Sequence, residues 1–81
     1  MEVLELKLTI EQALPGAYVE VKDLTGGGDH FEALVVTPEF EGRSLVERHQ
    51  VVYRALGDAM RQRVHALSLK TLTPSQYQQR R

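Results

Sequence analysis

The chain has no cysteine and no tryptophan, and only five aromatic residues among 81. Without cysteine there is no disulfide framework, no thiolate metal site built by this chain alone and no cysteine nucleophile. No apolar run approaches the length of a membrane span, and the start Met1-Glu2-Val3-Leu4-Glu5 lacks the basic region of a secretory signal. A cytoplasmic chain with no membrane partner is therefore expected. Enzyme signatures are also missing. Gly26-Gly27-Gly28 lacks the spacing of a phosphate loop and leads into a strand, whereas such loops lead into a helix N-terminus. The serines lie in no nucleophile-elbow context. These features argue for a protein that is not an enzyme.

What is present is an ordinary globular composition, 42% hydrophobic and 26% charged, in a length that suits one domain over residues 1–81. The net charge of −1 conceals an asymmetry. Residues 1–42 hold nine acids against Lys7 and Lys22, while residues 43–81 hold eight bases against Glu47 and Asp58. The halves carry −7 and +6. Such polarity either marks a nucleic-acid face or neutralises itself across one fold, and the second is the simpler reading.

Residues 3–10 alternate as a strand would, yet Val3, Leu6, Ile10, Ala13 and Leu14 also form one helical stripe. The good helix formers between them and the stop at Pro15-Gly16 favour a helix. Ala17 to Leu24 alternates as a strand with one wet face, and the five residues Thr25 to Asp29 break it. His30 to Thr37 is almost continuously apolar, which predicts a central strand covered on both sides. Gly42, with Pro38, brackets a turn and is read as structural. Ser44 and Glu47 have capping-box spacing ahead of a helix whose buried stripe is expected at Leu45, His49, Val52, Leu56, Ala59 and Met60, with Gly57 a joint to a shorter helix. Val64 to Thr71 reads as a third strand, and Thr73-Pro74 as the cap and first residue of a short final helix. The short loop between the first two strands predicts an antiparallel hairpin. About two dozen residues between the second and third predict a right-handed crossover joining parallel strands.

The stretch Phe40-x-Gly42, Arg48-His49, Val52, Leu56, then His65-Ala66-Leu67-x-x-Lys70-Thr71-x-Thr73-Pro74 resembles the BolA-like family. The resemblance covers roughly Val19 to Tyr77 without a gap. It implies an α+β fold, αββααβ with a further α, similar to class II KH domains: a mixed three-stranded sheet with helices packed on one face. It also implies a role as partner of monothiol glutaredoxins of the Cys-Gly-Phe-Ser type, in a [2Fe-2S] cluster shared with glutathione and used in iron–sulfur trafficking or iron and redox regulation. On the resemblance, His65 matches the family's C-terminal cluster ligand. His30 matches the position of a second ligand, histidine or cysteine, so this chain is a histidine-type member. Gln50 departs from an arginine that often follows the Arg-His pair.

From the residues alone, His65 reads first as a strand-end histidine bonded to a backbone carbonyl and His30 as a polar loop-end residue, ahead of metal ligation, and it is the resemblance that reverses this order. If the second and third strands are parallel neighbours, both histidines begin strands at one sheet edge, where strands stand ~4.8 Å apart. A cluster with two histidines on one iron needs two thiolates on the other, which this chain does not have. A glutaredoxin cysteine and glutathione would supply them. His49 is read as a packed structural histidine, and Arg48 as pointing outward toward an acid or a partner. The alternative function is a KH-like nucleic-acid-binding transcriptional regulator, with weak DNA binding through Arg48, Arg54, Arg61 and Lys70. Against it, the joint Leu56-Gly57-Asp58-Ala59-Met60 lacks the second glycine of a Gly-x-x-Gly clamp, and only Tyr53 and Tyr77 lie in the basic half. The free protein is expected to be a monomer or weak homodimer.

Overall fold

A computed structural model describes residues 2–57 and 66–79. Helix α1 spans Val3–Ala13, β1 Tyr18–Asp23, β2 His30–Val36, a 3-10 turn Pro38–Phe40, α2 Leu45–Leu56, β3 Ala66–Leu72 and α3 Pro74–Gln79. The sheet order is β1-β2-β3. β1 runs antiparallel to β2, and β2 runs parallel to β3 with His30 opposite Ala66 and Val36 opposite Leu72. The expected mixed sheet with a central second strand is the one observed. Val64, His65, Ala59, Met60, Arg61 and the expected short helix after Gly57 lie outside the described residues. No described helix is long and apolar enough to cross a membrane.

Helix wins over strand for the first segment because its apolar residues bury at intervals of four. Leu6 and Ile10 are fully buried and Leu14 nearly so, whereas Leu4 and Leu8, which a strand pattern would group with them, stay exposed. Val3 and Ala13, expected on the buried stripe, also remain exposed at the two ends of the helix. Leu6 and Ile10 join Val19, Phe31, Ala33, Val35, Phe40, Val52 and Leu56 in one core between the sheet and the helices α1 and α2. Each of these side chains larger than alanine, when fully buried, contributes about 1.5–3 kcal/mol from removal of apolar area from water.

The other sheet face is covered differently. Val36 is flanked by Tyr18 and Leu72 in the register, and Tyr77 of α3 sets its ring 5.5 Å from that of Tyr18. Leu34 lies between Glu20 and Lys70, and with Lys22 and Glu32 these charged side chains line a shallow cavity over it. Their aliphatic stems shade an apolar residue while the charges stay wet. Both β2 faces are thereby buried, which accounts for the unbroken apolar run of Ala33 to Val36. Leu67 and Leu69 are half-buried and pack against the core from the outer strand.

Helix α2 begins with a complete capping box: Ser44 Oγ accepts from Glu47 N–H at 3.2 Å, and Glu47 Oε1 accepts from Ser44 N–H at 2.8 Å. Its buried stripe differs from the expectation in its first turn. Leu45 is 62% exposed, because the stripe counts back from Leu56 through Val52 to Arg48. Arg48 therefore turns inward, not outward. Its Nε donates to Arg43 O at 3.1 Å, and one terminal nitrogen donates to Thr71 O at 3.1 Å and to Gln76 Oε1 at 2.9 Å, with the guanidinium 5.7 Å from the Phe40 ring centre. Gln76 also accepts from Thr73 N–H, and Thr73 Oγ1 accepts from Gln76 N–H, so α3 has a reciprocal cap of its own. Gly42 sits at φ +72°, a conformation that favours glycine in the turn leading to α2.

One side chain thus ties the start of α2 to the end of β3 and to α3. Arg48→Ala is expected to destabilise the fold by about 1.5–3 kcal/mol, the scale of hydrogen bonds to a charged group, and Arg48→Lys to recover only part of it because an ammonium cannot reproduce the fork. Denaturant unfolding checks both; equal stability of Arg48→Ala and wild type would contradict this role. Ser44→Ala is expected to cost about 1 kcal/mol through the lost cap, in the same assay.

Candidate metal centre

His30 is the first residue of β2, and the loop before it decides where it stands. That loop is closed around the carboxylate of Asp23, the last residue of β1. Asp23 Oδ1 accepts from the N–H groups of Thr25 at 3.2 Å and Gly26 at 2.8 Å, and Oδ2 accepts from Gly28 N–H at 3.0 Å. Thr25 Oγ1 donates to Asp29 Oδ1 at 3.0 Å and accepts from Gly27 N–H at 3.1 Å. Leu24 N–H donates to His30 O at 2.8 Å, closing the base of the loop. The glycine triplet, which reads from sequence as a flexible tip, is a folded turn. Neither Asp23 nor Asp29 is singled out by sequence reasoning, although Asp followed by amides two, three and five residues on is the spacing of a side chain capping its own turn.

Desolvation pushes the Asp23 carboxyl upward, but the amide bonds from Gly26, Thr25 and Gly28 outweigh it and hold the group below the ordinary carboxylate value. The His30 side chain is 44% exposed, with Nε2 3.6 Å from Asp29 Oδ2. A carboxylate beside an imidazole is the arrangement that orients histidine ligands in metal sites. Across the ladder, His30 is registered with Ala66, the residue that follows His65 in the chain. His65 itself lies outside the described residues, as does Arg61. Among the described residues no three metal-ligating side chains gather, so the donors there amount to less than a complete coordination shell.

The remaining candidates are not brought together. His49 is half-buried on α2, its ring edge-on to Tyr53 at 6.5 Å, with Nε2 buried and without a hydrogen-bond partner among the described residues. Arg48 is engaged inside the fold. Arg54 is exposed in the last turn of α2, over the core face, while Lys70 lies on the opposite sheet face, 3.9 Å from Glu32 Oε1. Arg48, Arg54 and Lys70 do not form one basic surface.

A family model described as "BolA-like protein" matches residues 6–76. The chain belongs to the BolA-like family. This BolA-like chain is 40% identical over 75 residues to Protein BOLA2 of Arabidopsis thaliana, covering 90% of this chain and 80% of that one. Among solved structures it is similar to a bolA protein homologue from Coxiella burnetii, 42% identical with a TM-score of 0.85 over 96% of this chain and 97% of that one. It is also similar to the BolA domain of SufE1 from Arabidopsis thaliana, 32% identical with a TM-score of 0.81 over 90% and 92%. The BolA-like fold is thus shared with these structures.

The depressed Asp23 pKa has a signed consequence. The bonds that close the loop contribute fully above the unfolded value of about 3.8 and are lost as pH falls through the lower folded value. In an acid titration followed by NMR, the Gly26 and Gly28 amide shifts are expected to move with the Asp23 carboxyl, at a midpoint below 3.8. Asp23→Asn should lack that step; a step retained in the variant would assign it to another group.

Proposed function

We propose that this BolA-like chain is a non-enzymatic partner of a monothiol glutaredoxin of the Cys-Gly-Phe-Ser type, sharing with it a glutathione-containing [2Fe-2S] cluster for iron–sulfur trafficking or iron and redox regulation. The observation that carries this reading is the parallel register of His30 with Ala66, the second residue of the His65-Ala66-Leu67 motif. Family membership over residues 6–76 supports it, since that is the role the BolA-like resemblance implies. The donor chemistry fits half of such a centre: an exposed imidazole is a suitable iron ligand, and a chain without cysteine has no thiolate for the second iron. The glutaredoxin cysteine and the glutathione thiol would complete the set. Such a cluster carries an electron or is itself handed on, and neutral imidazoles in place of thiolates raise its potential and make its binding sensitive to pH.

A nucleic-acid role has less support, because Arg48 is engaged internally and Arg54 and Lys70 lie over opposite faces.

The test is to mix the purified protein with a monothiol glutaredoxin, iron, sulfide and glutathione. A coloured heterodimer distinct from the glutaredoxin homodimer is expected. His65→Ala should abolish its histidine-ligated spectrum, His30→Ala should weaken or shift it less severely, and His30→Cys should give a thiolate-type spectrum. His49→Ala should lower thermal stability while the spectrum is kept. An unchanged visible spectrum and lability in His65→Ala would make that histidine structural and defeat the assignment.

A further inference from the structure

The loop between β1 and β2 is more fully determined than its exposure requires. Three of its amides converge on one carboxylate, at 2.8–3.2 Å. Gly26 and Gly28 have φ +80° and +76°, in the region that side chains disfavour. At Gly27 an added Cβ would stand 3.3 Å from Asp29 Oδ1 and 3.4 Å from Thr25 Oγ1, pressing on the hydrogen bond those two atoms make. Each glycine therefore has its own reason within a single closed shape, and none of these reasons is mobility. The shape ends on Asp29 and His30, where the carboxylate that bonds Thr25 through Oδ1 faces the imidazole through Oδ2.

We infer that Asp23 is the positioning residue for His30: by collecting the amides of Thr25, Gly26 and Gly28 it holds the loop in the one shape that presents the His30 imidazole, beside Asp29, at the edge shared with the start of β3. The inference rests on the reading of His30 as a cluster ligand. Asp23 lies seven residues before His30, and its effect is on the population of the competent loop. If loss of the cage lowers that population to about one tenth, the apparent affinity of the site for its incoming ligand falls about tenfold, since affinity scales with the competent fraction.

The experiment compares full-length wild type with Asp23→Asn and Asp23→Ala in two measurements. In the free proteins, NMR relaxation dispersion at the Gly26, Gly28 and His30 amides and the His30 Hα–Hβ couplings report loop order and imidazole rotamer. In the second, glutaredoxin with iron, sulfide and glutathione is titrated and the heterodimer spectrum is followed. The expected result is one His30 rotamer in wild type, averaged couplings and new exchange broadening in the variants, unchanged amide protection in the sheet core, and a half-conversion point about tenfold higher. Gly27→Ala should disturb His30 through Asp29 while leaving the Asp23 bonds in place. Unaltered His30 couplings in Asp23→Ala, or an unchanged half-conversion point despite a disordered loop, would overturn the positioning role alone. A wild-type heterodimer indifferent to His30→Ala would overturn the ligand reading, and the role assigned to Asp23 with it.

Discussion

Because β2 bonds to β1 on one side and to a parallel β3 on the other, the starts of β2 and β3 are held at the same edge of the sheet. An antiparallel third strand would carry the His-Ala-Leu motif to the opposite edge, away from His30. The parallel ladder is maintained by burial on both of its faces. Phe31, Ala33 and Val35 point into the core under α1 and α2, and Leu34 and Val36 are covered on the far side by charged stems and by the Tyr18, Leu72 and Tyr77 group. A slip by one residue would exchange these two sets and place Glu32 in the core.

The far end of the same ladder is secured by polar groups. Thr37 N–H donates to Leu72 O, extending the pairing by one bond, and Arg48 reaches Thr71 O and Gln76. The sheet therefore has an apolar middle, a polar knot at the C-terminal ends of β2 and β3, and the caged loop at their N-terminal ends. The knot and the cage use the same device, a single charged side chain gathering several backbone or amide partners. They differ in setting: Arg48 sets its guanidinium against the Phe40 ring, whereas the tip of the loop gathered by Asp23, Leu24 to Gly27, is exposed.

Most of this fold was legible because long-range order left local marks. The central strand showed as an unbroken apolar run, the start of α2 as Ser44-x-x-Glu47, and the start of α3 as Thr73-Pro74. What escaped was polar and context-dependent. Arg48 occupies a stripe position that a hydrophobicity pattern assigns to an apolar neighbour, so Leu45 was placed inside in its stead. The glycine triplet signals a bend equally well whether the bend is loose or closed, and only the position of the Asp23 carboxylate distinguishes the two. For the candidate site, sequence spacing and family likeness pointed to His30 and His65, whereas Asp23 and Asp29, which shape the loop before His30, carry no signal beyond ordinary turn chemistry.

The order of the strands also bears on when the site comes into being during folding. β1 and β2 are joined by six residues, whereas 29 separate Val36 from Ala66. Closing the longer connection costs about 1.4 kcal/mol more in chain entropy. The hairpin, with its Asp23 cage, is accordingly a local structure, and the alignment of His30 with the start of β3 belongs to the last, non-local step. A chain arrested before that step has a formed loop and a presented imidazole but no β3 beside it. Under the proposed function, metal chemistry that needs both His30 and His65 would be reserved for molecules in which β3 has paired with β2.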